Sequence, residues 1–437
     1  MFIQTYTSRV VAIKCHRHCH KWTTSVAQLQ SVAFHSPPPV ESLPPLFPKL
    51  TAILDEKLTP DDVWLFYWLN GPFMTKFKFH IATHCPGSQA LKDYISNMGI
   101  LYPNMKTFFL NINQFKPHTD RMMQSLSKAI GDWKHLERVG LNAQDLDTAA
   151  YEHLMRLESL SSLTLVLDYK GTERLVRAVL PQKHFPALRN LTLIAFHISR
   201  VVSWLHCLHL CPSSLSCIAL KRSSLSSPDL QSIADLCHTI ATQLCLKSLE
   251  RIELASKVYS TRVSVPVDAV RPLFSFSRLR CVKIARLCTA ALSDGDLLEL
   301  ATSWPLLQVL ELGNYVETRN PVVIVPTLQG FFHLLRHCAH LEQLVIVVGL
   351  RESEVVDTTR HTDGIDKHPL HHLCLGNSLI DDAKSVASIL SALLPALERV
   401  GTSCWKDARL SDLPEKEALL TVWNRVNAYL GELRMAR

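Results

Sequence analysis

The chain has 437 residues, 47% of them hydrophobic and 19% charged, with a formal charge of +7. That composition can build a core and excludes global disorder, and so small a charge excess over so long a chain gives no footing to a nucleic-acid or membrane-surface binder. No run reaches the roughly 18–20 apolar residues of a membrane span.

The N-terminal segment, 1–45, comes first. Its opening stretch lacks a basic start, and Arg9 interrupts its one apolar run, so it does not read as a secretory signal. Cys15-His16-Arg17-His18-Cys19-His20 is the most metal-like cluster in the chain. Thiolate and imidazole suit zinc, but structural zinc takes two ligand pairs separated by a loop, and no second pair follows. No metal or other cofactor is expected; Cys15, His18, Cys19 and His20 are the weak candidates. LQSVAF at Leu29 is a possible degenerate first repeat, and the proline-rich stretch His35–Pro48 is a rigid linker.

From residue 46 to about 410 one hexapeptide recurs: apolar, two variable, apolar, one variable, apolar. Full copies start at Met74, Met105, Leu136, Leu160, Leu188, Leu215, Leu249, Leu279, Leu307, Leu341 and Leu370, with degenerate ones at Leu50 and Leu397. The starts lie 24 to 34 residues apart, within or just beyond the span of a leucine-rich repeat. The alternation that closes each hexapeptide is a strand period. Prolines just before it, as in FPALRNL, CPSSLSC and WPLLQVL, end the preceding helix and start an extended segment. After the strand the period turns helical: Leu230, Ile233, Cys237, Ile240 and Leu244 form a stripe, with Ser227 and Pro228 suited to the helix start. Asp294 and Asp381 are placed to cap two more helices. Residues 316–326 and 351–367 look like loop insertions. Residues 411–437 end in a helical pattern, Leu419, Leu420, Trp423, Val426 and Leu430, expected to cap the stack.

The fold expected is an α/β leucine-rich-repeat solenoid of about 13 repeats, a horseshoe with parallel strands on its concave face and helices on its convex face. The 13 cysteines have no framework spacing and often occupy apolar positions, as expected of reduced thiols in a cytoplasmic or nuclear protein. The chain has no glycine-rich phosphate loop, GxSxG elbow, HExxH or paired CxxC, and acid pairs such as Asp61/Asp62 fall at helix starts, so no enzyme is expected. His206, Cys207, His209 and Cys211 read as packing residues.

What remains is surface. The third, fifth and seventh residues of each hexapeptide frame should face the concave side. There Lys76, Lys78, His80, Phe109 and Arg138, with Arg251 and Lys283 further on, make basic residues outnumber acidic ones. These are the candidate partner-binding residues, for an acidic or mixed peptide. A solvated strand surface with no partner is the plainer reading.

Several stretches resemble the repeat region of fungal F-box/leucine-rich-repeat proteins, the large family of mushroom-forming fungi: LFPKLTAI (46–53), WKHLERVGL (133–141), DGDLLELATSWPLLQVLELG (294–313), TLQGFFHLLRHCAHLEQLVI (327–346) and HHLCLGNSLIDDAKSVASILSALLPALERV (371–400). The resemblance covers about residues 25–402. It implies the substrate-recognition part of a cullin-type ubiquitin ligase, with the ligase adaptor as a partner if an F-box lies upstream. No F-box opening or helical triplet is apparent before the repeats. A repeat-only scaffold that binds or sequesters a protein, with no ubiquitin link, is the alternative.

Overall fold

The computed structural model describes residues 12–14, 49–58, 73–81, 89–112, 120–142, 146–167, 184–207, 215–222, 230–256, 264–284, 289–313, 325–350, 368–378, 380, 382–402 and 416–436. The chain forms two compact units, Met1–Arg189 with Cys207–Cys211, and Asn190–His206 with Pro212–Arg437.

In the first unit the strands are β1 (Ala12–Lys14), β2 (Ala52–Leu58), β3 (Lys76–Ile81), β4 (Thr107–Ile112), β5 (Arg138–Asn142) and β6 (Ser162–Leu167). They pair in chain order, and every pair is parallel. Between strands run α1 (Gln89–Leu101), α2 (Asp120–Asp132) and α3 (Thr148–Arg156). β1 lies upstream of Leu29, where the degenerate copy was expected; residues 29–34 lie outside the described residues.

In the second unit β7 (Asn190–Ala195), β8 (Cys217–Arg222), β9 (Arg251–Ser256), β11 (Cys281–Lys283), β13 (Val309–Glu311), β14 (Gln343–Val345) and β15 (His372–Cys374) pair the same way. The helices are α4 (Ile198–Cys207), α5 (Leu230–Gln243), α6 (Val267–Val270), α7 (Asp294–Ser303), α8 (Leu328–His337), α9 (Ala383–Leu393) and α10 (Lys416–Met435). A short parallel pair, β10 (Ser264–Pro266) with β12 (Thr289–Ala291), forms a second small sheet that the hexapeptide does not announce. In the repeat that starts at Leu249 the helix is one turn of α6 followed by a 3-10 segment, Arg271–Ser275, where Pro272 lacks the N–H that an α-helix needs.

Each unit is therefore a leucine-rich-repeat stack. In the eleven full copies the first, fourth and sixth hexapeptide residues point inward and are buried. Examples are Met105, Phe108 and Leu110 in the first unit and Leu307, Leu310 and Leu312 in the second. In the first unit, methionine and phenylalanine replace leucine early on, giving an aromatic core. Phe77, Phe79, Phe108 and Trp133 follow one another with centroids 4.9–5.8 Å apart.

The strand starts share one hydrogen-bond device. The carbonyl of the second hexapeptide residue accepts two N–H groups from the next repeat, using both lone pairs. Thr51 accepts from Thr75 and Lys76, Lys106 from Glu137 and Arg138, Glu250 from Arg280 and Cys281, and Gln308 from Glu342 and Gln343. A second device precedes it. The N–H of the first hexapeptide residue bonds back to the carbonyl three residues earlier, as in Met105 to Tyr102, Leu188 to Phe185, Leu307 to Trp304 and Leu397 to Leu394. Pro103, Pro186, Pro305 and Pro395 then occupy the second position of a β-turn, where a fixed φ is favoured. These prolines thus shape the entry into the strand.

Candidate partner-binding surface

Because the strands are parallel and in register, outward residues of equal hexapeptide position stand side by side. In the first unit one ladder runs Lys76, Thr107, Arg138, Ser162, and the next runs Lys78, Phe109, Gly140, Thr164. Four of the candidate residues, Lys76, Lys78, Phe109 and Arg138, are thus neighbours. Lys76 and Arg138 are exposed, and Lys78 and Phe109 are half-buried. His80 continues β3 opposite Asn111; its side chain lies outside the described residues.

Phe109 leans onto β5. A Cβ on Gly140 would come 2.2 Å from Phe109 Cδ1 and 2.6 Å from Cε1. The glycine therefore makes room for the ring to lie across the sheet. A glycine inside a strand marks a close approach of this kind. The hexapeptide LERVGL carried that signal, but the identity of the approaching group lies one repeat away.

In the second unit the outward ladders mix charges. Arg251 Nη1 bonds Glu253 Oε1 at 2.8 Å, and Lys283 Nζ bonds Glu311 Oε1 at 2.6 Å. Register sets Lys283 beside Glu253 as well. Arg251 and Lys283 are therefore neutralised by the carboxylates of their own face, whereas Lys76 and Arg138 have no ion-pair partner among the described residues. Cys217 and Cys281 stand on either side of Arg251. Burial pushes the Cys217 thiol up to about 11 and raises that of Cys281, so both stay protonated and are poor nucleophiles near neutral pH.

No family model matches the chain, and no curated protein does. Among solved structures, the leucine-rich repeat-containing protein LegL7 from Legionella pneumophila is similar, with 14% identity and a TM-score of 0.33 over 74% of this chain and 97% of that one. At that likeness the fold assignment rests on this chain's own strand registers and buried ladders.

Among the described residues no group of three or more His, Cys, Asp or Glu is placed to hold a metal. Cys15, His18, Cys19 and His20 lie outside them. His206 has its Nε2 3.2 Å from Thr239 Oγ1, a contact between successive helices. No helix among the described residues is long and apolar enough to cross a membrane. Among its described residues, the first unit's strand face presents cations, hydroxyls and the Phe109 ring in fixed register.

Proposed function

We infer that the chain is a protein-binding scaffold that receives its partner on the outward face of the strands. One observation carries this reading. In the eleven full hexapeptides the inward positions are all buried, while outward ones of the first unit stay accessible: Lys76 and Arg138 are exposed, and Lys78, Thr107, Phe109, Ser162 and Thr164 half-buried. A repeat stack fixes such side chains by its core while leaving their identity free to vary.

The finer reading is a substrate receptor of a cullin-type ubiquitin ligase. It is supported by the resemblance of segments such as SWPLLQ and NSLIDDAKSVASILSALLP to the fungal F-box family. A pull-down from cell extract read by mass spectrometry tests it. Recovery of ligase adaptor and cullin is the expected result. Their absence alongside other specific partners would leave a scaffold without a ubiquitin link.

A further inference from the structure

Resting on the scaffold reading, we propose that the β3–β5 face of the first unit binds an extended acidic protein segment, seating an apolar side chain on Phe109 between carboxylates that meet Lys76 and Arg138. Three features converge on it. First, among the described residues the outward positions of β3 to β6 hold lysine, arginine, threonine, serine, phenylalanine, glycine and valine, and no Asp or Glu. Glu137, one residue before β5, is engaged by Lys106 Nζ at 2.9 Å. Second, the face has an aromatic floor. Phe109 lies across Gly140 with Lys78 as its other lateral neighbour, so its ring is held by the sheet. Third, the spacing suits an extended chain. Lys76 and Arg138 are two strands apart, about 10 Å, and an extended segment covers that span in about three residues. The mixed-charge face of the second unit offers no such excess.

The test uses the full chain and a fluorescein-labelled peptide of alternating Asp and Glu with one central Phe. Its counterparts carry Asn and Gln throughout, or Gly in place of Phe. Binding should need both the carboxylates and the Phe. It should weaken about tenfold or more in the exposed double variant Lys76→Glu/Arg138→Glu, and stay unchanged in Lys221→Glu/Arg280→Glu, an equal charge change at exposed positions of the second unit. Phe109→Ser should erase the preference for Phe over Gly. No binding by the parent chain, or equal binding by the double variant, would overturn the proposal. So would single-stranded DNA binding as tightly as the peptide. A parallel pull-down with the double variant separates the two readings. Partners kept by both forms leave the scaffold intact and remove this site, whereas a parent chain with no specific partner removes the scaffold.

Discussion

At the scale of single residues, the repeats are joined by polar atoms that one repeat supplies to the next. Asp294 is the fullest case. The local pattern suggested that it caps its own helix, but Ser293 does that, in a capping box with Asp296. Asp294 reaches into the following repeat, accepting from the Thr327 N–H (2.7 Å), the Thr327 hydroxyl (2.7 Å) and the Gly330 N–H (3.0 Å) at the start of α8. A Cβ on Gly330 would sit 2.4 Å from Asp294 Oδ1. Asp294→Ala should cost about 1–2 kcal/mol in urea denaturation. Gly330→Ala should also destabilise, but less in the Asp294→Ala background; strictly additive effects would mean that the two do not share one contact.

His368 makes the same kind of link. It is buried; its Nε2–H donates to the Cys338 carbonyl at 3.0 Å, and its Nδ1 accepts the Leu370 N–H at 3.2 Å. Burial holds its pKa below the usual histidine value. The unfolded chain therefore takes up a proton more readily than the folded one. The stability contributed by neutral His368 is complete above about pH 6.5 and is lost as pH falls from there toward the lower folded pKa. Denaturation midpoints between pH 7 and 5 should fall more steeply in the parent than in His368→Gln. Equal slopes would remove His368 as the cause.

At the scale of elements, the repeat is longer than its hexapeptide. Three residues before it stands a column of buried side chains: Tyr102, Trp133 and Phe185 in the first unit, and Phe276, Trp304, Cys338 and Leu394 in the second. Their carbonyls close the turn into the strand or take side-chain bonds from the next repeat, as His153 Nε2–H does to Trp133 at 2.9 Å. Trp304 packs edge-on to Phe274 at 5.3 Å, and its Nε1–H reaches the Leu273 carbonyl at 3.2 Å. Trp304→Ala should therefore cost about 3–5 kcal/mol. A loss under 1 kcal/mol on the same scale would show the column to be incidental. The strands were legible because alternation lies within six residues, and the α5 stripe because its period is local; Ile233, Cys237, Ile240 and Leu244 are buried, while Leu230, the first residue of the helix, is exposed. The Gly140–Phe109 contact, the reach of Asp294 and the β10–β12 pair were not legible. Each joins residues about 25 to 36 apart, a lateral relation that no short period encodes.

At the scale of the whole molecule, a stack must end. In the second unit Val400 bridges Leu373, and beyond it Asn427 of α10 takes the place of a further strand. Its Oδ1 accepts the Val400 N–H at 2.7 Å, and its Nδ2–H donates to the Val400 carbonyl at 3.1 Å. Trp423, Val426 and Leu430 of α10 are buried. The terminating role proposed for this helix predicts that Asn427→Ala lowers stability and promotes concentration-dependent association through the uncovered edge. Light scattering that stays monodisperse, with unchanged stability, would contradict it.

As proposed, a protein partner lies on the strand face. Site-specific photo-crosslinking in cell extract tests it most directly, with a benzophenone amino acid at Arg138 or Lys221 on the strands, or at the exposed Asp235 of helix α5. A discrete crosslinked protein is expected from at least one strand position and none from Asp235. Crosslinks confined to the helix position would place the binding surface on the helices and overturn the strand-face proposal.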